Sequence, residues 1–90
     1  RLNFVTAKAR TRALYGKPLD TVIENLTLAS NNEKLARSTQ LAAKYGLSIA
    51  LMRKGDFTRS KTVLAALLAA DPQNPVYKLA EAELAYNAGD

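Results

Sequence analysis

The residue types that carry most enzyme chemistry are scarce in this sequence. Its 90 residues contain no histidine and no cysteine, which removes the commonest general base, the commonest metal ligand and any thiolate. Glu81 and Glu83 are two positions apart, so on a helix their carboxylates point in different directions and make a poor acid–base pair. Gly16-Lys17 lacks the glycine spacing of a phosphate-binding loop. We therefore predict no enzyme activity, no catalytic residue, no metal ligand and no cofactor within these residues.

The positive charge of the chain is concentrated at its N-terminus. The net charge is +5, and the segment that ends at Lys17 contains no acid while it carries Arg1, Lys8, Arg10, Arg12 and Lys17. A basic helix can bind nucleic acid, anionic lipid or an acidic protein surface, or can be a solvated face. Because no nucleic-acid-binding motif accompanies this charge, we expect no nucleic-acid partner. A basic helical domain that binds nucleic acid through Lys8, Arg10 and Arg12 is the alternative.

Length and hydropathy indicate one small domain. The longest apolar run, from Val63 to Ala70, has eight residues, whereas a spanning helix needs about 20, so we expect no membrane insertion. The chain begins without methionine and without a signal peptide pattern. We therefore interpret residues 1–90 as a single domain that is a fragment of a larger protein.

Apolar residues recur at helical spacing along the whole chain, and no alternating strand pattern is present. For example, one helix face holds Leu19, Val22, Ile23, Leu26 and Ala29. Asn32 or Ser30 is available to cap the helix that follows, and Gly46 within that helix suits a close crossing by another helix. Asp56 is suited to cap a later helix, and Pro75 is suited to a first helical turn. The sequence predicts an all-α fold with five helices, antiparallel to their neighbours because the links are short. The predicted helices are residues 2–15, 19–30, 33–53, 57–70 and 76–88.

Two Gly-Asp pairs, Gly55-Asp56 and Gly89-Asp90, suggest an internal repeat. Their separation equals the period of the tetratricopeptide repeat, about 34 residues, and we call this separation the repeat period. In that register the unit 41–74 has small residues at Ser48 and Ser60, where its two helices should cross. We predict a tetratricopeptide-like α-solenoid of about five helices, or two and a half repeats, with extra residues within 31–37. An ordinary five-helix bundle with coincidental spacing is the alternative.

Three segments resemble a known family. "FVTAKARTRALYG", "AAKYGLSIALMRKGDF" and "LLAADPQNPVYKLAEAELAYNAGD" are similar to the tetratricopeptide tail of periplasmic zinc metalloproteases of the β-barrel assembly-enhancing protease family. The resemblance implies a parent that cleaves proteins with zinc on an upstream His-Glu-x-x-His helix. It also implies a location in the periplasm of a Gram-negative bacterium. The tail would be non-catalytic and would recruit or position protein substrates or outer-membrane assembly partners.

The predicted binding surface follows from the repeat register, since the first helix of each stacked unit lines the concave side. We expect this surface to bind an apolar, aromatic or helical protein segment, with Arg10 and Arg53 at its edge. Simple packing between repeats is the alternative for Tyr45, Ile49 and Leu79. The predicted residues are Thr6, Arg10, Tyr45, Ile49, Met52, Arg53, Leu79, Glu83, Tyr86 and Asn87.

The sequence is also compatible with two further binding partners. The basic first helix could dock this domain on the protease domain of its own parent, which would make it a structural tail. The exposed last helix of a truncated array could pair with a second copy of the chain.

Overall fold

A computed structural model describes residues 18–89. These residues form four helices: α1 over residues 18–30, α2 over Arg37–Lys54, α3 over Phe57–Ala70 and α4 over Pro75–Asn87. Helix accounts for 81% of this part of the chain, which has no strand, so the all-α prediction is confirmed. The predicted helix 2–15 lies outside the described residues. Residues 18–89 thus contain four helices, which correspond to the other four predicted ones, and the solenoid of about five helices is not confirmed.

The helix α1 presents a narrower apolar face than the sequence suggests. Ile23 is buried, and Leu19 and Leu26 are half-buried against it. Val22, which was predicted on the same face, is 44% exposed. The contact with α2 covers only the stripe centred on Ile23, and this is why Val22 remains in solvent.

The loop 31–36 makes α2 begin at Arg37, four residues later than predicted. Asn32 stabilises this loop: its carbonyl accepts a hydrogen bond from Gln40 Nε2 at 2.7 Å, and its Oδ1 accepts one from the Lys34 amide at 2.9 Å. The prediction that Asn32 or Ser30 caps α2 is therefore wrong. The N-cap position is held by Ala36, which makes no side-chain hydrogen bond.

The turn between α2 and α3 depends on a left-handed glycine. Gly55 has φ +93° and donates its amide hydrogen to the carbonyls of Leu51 and Met52. Asp56 then caps α3 by accepting a hydrogen bond from the Arg59 amide at 3.2 Å, as predicted. Gly89, one repeat period after Gly55, has φ +85°, so the two glycines share a conformation that favours glycine. Asp90 lies outside the described residues.

The helix α4 starts as the sequence predicts. Pro75 occupies its first turn, and the Asn74 side chain accepts hydrogen bonds from the amides of Val76 and Tyr77 at 2.9 and 3.3 Å. This cap satisfies two amides that the helix itself leaves unpaired.

Among residues 18–89 the buried side chains form two apolar clusters, and α2 contributes to both. The first joins α1 to α2 and reaches Val63 of α3; its buried members are Ile23, Leu47, Ala50 and Leu51. The second joins α2, α3 and α4; its buried members are Met52, Leu64, Leu67, Ala80 and Leu84.

Small residues lie where the helices approach each other. Ser60 of α3 donates its hydroxyl to the Ser48 carbonyl of α2 at 2.7 Å, and both serines are fully buried. A Cβ on Gly46 would lie 3.4 Å from Leu26 Cδ1, so α1 crosses α2 close to this glycine. The sequence predicted small residues at both crossings.

The contacts between α2 and α4 define their relative direction. Tyr45 meets Tyr77 near the start of α4, and Met52 meets Asn87 at its end. Because later residues of α2 meet later residues of α4, the two helices are parallel. The short turns on either side of α3 make it antiparallel to both.

Within the described part of the chain, no helix combines the length and apolar content needed to span a membrane.

Candidate protein-binding site

The α2 half of the predicted surface is largely occupied by α4. Tyr45 and Ile49 are half-buried against the second cluster. The Tyr45 and Tyr77 ring centroids are 6.0 Å apart with planes tilted by 32°, a favourable aromatic arrangement. Met52 is only 8% exposed. Placing Met52 on an open binding surface was therefore wrong, because α4 covers this side of α2.

Asn87 closes the far end of the α2–α4 contact. Its Nδ2 donates to the Glu83 carbonyl at 2.7 Å and lies 3.5 Å from Met52 Sδ. The carboxamide is thus engaged within the molecule, although the residue as a whole is exposed. We assign Asn87 to positioning α4 on α2 rather than to a partner contact.

The α4 half of the predicted surface is open. Leu79 is 62% exposed, Tyr86 is 84% exposed, and Glu83 is also exposed. Val76, which the sequence reasoning missed, is 49% exposed. The four residues follow spacing i, i+3, i+7 and i+10, so they share one helix face. We call Val76, Leu79, Glu83 and Tyr86 the α4 strip; continuing the spacing back from Leu79 would have found Val76.

The remaining predicted residues, Arg53, Thr6 and Arg10, are not part of the α4 strip. Arg53 is exposed in the last turn of α2, where a cation interacts favourably with the helix dipole. Thr6 and Arg10 lie outside the described residues, as does the basic segment that contains Lys8 and Arg12. Nothing in the structure relates that segment to the α4 strip.

A concave surface lies on the other side of α4. The helices α3 and α4 border a half-open groove of about 460 Å³, which we call the end groove. No signal in the sequence reasoning pointed to it, because its residues belong to the face assigned to packing. Its lining residues are Phe57, Thr58, Lys61, Leu64, Ala65, Leu68, Glu81, Leu84, Ala85 and Ala88.

An ion pair joins α1 to α2. Lys54 Nζ lies 2.6 Å from Asp20 Oδ1, and this ion pair ties the end of α2 to the start of α1. Both side chains are about half exposed, so the pair contributes little to stability. Among residues 18–89 no group of three acidic, histidine or cysteine side chains is placed to hold a metal ion.

Compared with protein-family models, with curated proteins and with solved structures, the chain has no significant match. The resemblance to the tetratricopeptide tail of periplasmic zinc metalloproteases therefore stays a prediction.

Proposed function

We propose that this chain is a protein-binding module that uses the α4 strip to contact an apolar segment of another protein. The observation that carries this proposal is the exposure of Leu79 and Tyr86 on the same face of α4. An isolated exposed apolar residue is ordinary, whereas several on one face are typical of an interaction surface.

The side chains of the α4 strip indicate what kind of protein segment they can bind. Tyrosine supplies contact area with a polar hydroxyl and is enriched at protein interfaces. Glu83 lies between Leu79 and Tyr86 along the strip and is exposed. We therefore expect a partner segment with apolar or aromatic side chains and a basic residue that pairs with Glu83.

We further propose that the helices form a tetratricopeptide-like stack. Two observations support it: Gly55 and Gly89, separated by the repeat period, share the left-handed conformation, and α2 runs parallel to α4. In such a stack α2 and α4 are the first helices of successive units, and α3 is the second helix of the unit between them.

The family resemblance supports the biological setting that we propose. The parent would be a periplasmic zinc-dependent protease, and this domain would be its non-catalytic tail, with zinc held in the catalytic domain. The partners would be unfolded outer-membrane β-barrel proteins or their assembly factors. This setting rests on the quoted sequence segments, whereas the α4 strip rests on the geometry.

Binding of a labelled, unfolded outer-membrane β-barrel protein tests the proposal. We expect Leu79→Ser or Tyr86→Ser to raise the dissociation constant about 10-fold, as measured by fluorescence anisotropy. Leu28→Ser is the matched control, because Leu28 of α1 is 65% exposed, close to the 62% of Leu79. We expect this control to change the affinity less than about twofold.

Equal effects of Leu79→Ser and Leu28→Ser would contradict a role for the α4 strip. A salt titration with duplex DNA addresses the alternative function: binding that falls steeply with salt and is insensitive to Leu79→Ser would favour nucleic acid.

A further inference from the structure

Met52 carries the one sulfur atom of the chain, which has a single methionine and no cysteine. It is a buried member of the second cluster, together with Leu64 and Leu67 of α3 and Ala80 and Leu84 of α4. The side chains of these four neighbours are hydrocarbon. The thioether of methionine suits such surroundings, but oxidation converts it into a polar sulfoxide that does not.

Met52 lies at the edge of this cluster. It is 8% exposed, whereas Leu64 and Leu67 are fully buried. Met52 belongs to the last turn of α2, and its Sδ lies 3.5 Å from Nδ2 of Asn87, the last residue of α4. Because helix ends open more readily than helix centres, a small oxidant can reach this sulfur while the rest of the protein stays folded.

We propose that Met52 is an oxidation site whose modification releases α4 from α2 and α3. The oxidant class is a peroxide, with hydrogen peroxide as the probe. A lone pair of Sδ attacks one peroxide oxygen, the S–O bond forms as the O–O bond breaks, and the second oxygen leaves as water. The sulfur loses two electrons, the peroxide gains them, and the product is methionine sulfoxide.

The sulfoxide oxygen finds no partner inside the cluster. Asn87 Nδ2 donates to the Glu83 carbonyl at 2.7 Å, so one of its two hydrogens is already used. The other can reach the oxygen only at the edge of the cluster. The oxidised side chain of Met52 therefore turns away from its apolar neighbours or leaves its oxygen unpaired among them. The first outcome removes apolar contacts and the second buries an unpaired polar group, so both weaken the second cluster.

The helix α4 depends on this cluster more than α3 does. The buried side chains of α4, Ala80 and Leu84, both belong to the second cluster. By contrast, α3 is also joined to α2 by the hydrogen bond from Ser60 and by Val63, which packs against the first cluster. Weakening the second cluster therefore frees α4 while α2 and α3 stay joined.

Peroxide treatment of the 90-residue chain tests the site. Under native conditions we expect intact mass spectrometry to show the gain of one oxygen atom. The oxidised chain should have a thermal midpoint at least about 5 °C lower by circular dichroism. Met52→Leu is the matched control, because leucine keeps an apolar side chain of similar volume without sulfur. Peroxide should change neither the mass nor the midpoint of this variant.

Hydrogen exchange locates the effect of oxidation. We expect amides of α4 to exchange at least about 10-fold faster in the oxidised chain, and amides in the middle of α2 to change less than about threefold. A methionine sulfoxide reductase with a dithiol, which returns the oxygen as water, should restore the slow exchange of α4.

A variant of Asn87 tests the access route. Asn87→Ala should raise the rate constant of Met52 oxidation in the folded protein at least about threefold, because it removes the side chain beside the sulfur and loosens the last turn of α4. Asn25→Ala is the matched control, because Asn25 is exposed on α1. The oxidation rate of this control should equal that of the unmodified chain.

Four results would overturn the proposal: oxidation that takes place only in denaturing urea, an unchanged thermal midpoint after oxidation, equal acceleration of exchange in α2 and α4, or equal oxidation rates of Asn87→Ala and Asn25→Ala. None of them bears on partner binding by the α4 strip. Leu79→Ser should conversely leave the oxidation rate of Met52 unchanged, so the two proposals can fail separately.

Discussion

Ser60 places a hydroxyl inside the contact between α2 and α3. Its Oγ donates to the Ser48 carbonyl at 2.7 Å, and neither serine is exposed. We expect Ser60→Ala to lower the free energy of unfolding by about 1 kcal/mol, because one buried hydrogen bond is lost while the helices keep their spacing. Urea denaturation measures the change. Ser38→Ala, at an exposed position of α2, should stay within about 0.5 kcal/mol.

A second substitution at position 60 separates the effect of losing the hydrogen bond from the effect of side-chain size at the α2–α3 crossing. Ser60→Leu should cost more than Ser60→Ala, because a larger side chain forces α2 and α3 apart. If alanine and leucine at position 60 were equally tolerated, the crossing would not be tightly packed, and the predicted need for a small residue would be wrong.

The sequence predicted which small residues lie at helix crossings better than it predicted which side chains are exposed to solvent. Gly46 and Ser60 were correctly placed at close crossings, because small size is a property of the residue itself. The burial of Met52 was not predicted, since it depends on where α4 lies against α2. Helical spacing fixes which face a residue occupies, but only the assembled helices decide which faces are covered.

At the scale of elements, α2 begins without a side-chain cap. Ala36 is extended there, with φ −59° and ψ 149°, and no acidic residue lies in the first turn. By contrast, Asp56 and Asn74 cap α3 and α4. We expect Ala36→Asp to stabilise the protein by about 1 kcal/mol. The midpoint of a thermal circular dichroism curve should rise by about 4–8 °C.

Ala66→Asp is the control for this prediction, because it adds the same charge within an exposed stretch of α3. We expect it to leave the midpoint unchanged or slightly lower, since aspartate has a weak helix propensity. If both variants raised the midpoint equally, the gain would come from the change in net charge and not from capping.

Local signals explain why the sequence predicted some elements well. The bounds of α3 agree with the predicted 57–70 because Asp56 caps its start and Asp71-Pro72 ends it. The start of α2 was misplaced because the loop 31–36 is held by a hydrogen bond between Asn32 and Gln40, eight residues apart. No propensity or spacing rule contains that contact. The end groove was missed for a related reason, since a groove is a property of two helices together.

At the scale of the whole molecule, the helices differ in how much of their surface is packed against other helices. The helix α2 packs against α1, α3 and α4, whereas α4 packs against α3 and α2 and exposes both the α4 strip and the border of the end groove. Regions with fewer buried contacts open at a lower free energy than the core. The helix α4 should therefore be less protected from hydrogen exchange than α2.

Native-state hydrogen exchange measures this difference. In dilute solution we expect amides in the middle of α4 to exchange at least about 10-fold faster than those in the middle of α2. Equal protection of the two helices would mean that they open as one cooperative unit, and α4 would then be no weaker than the rest.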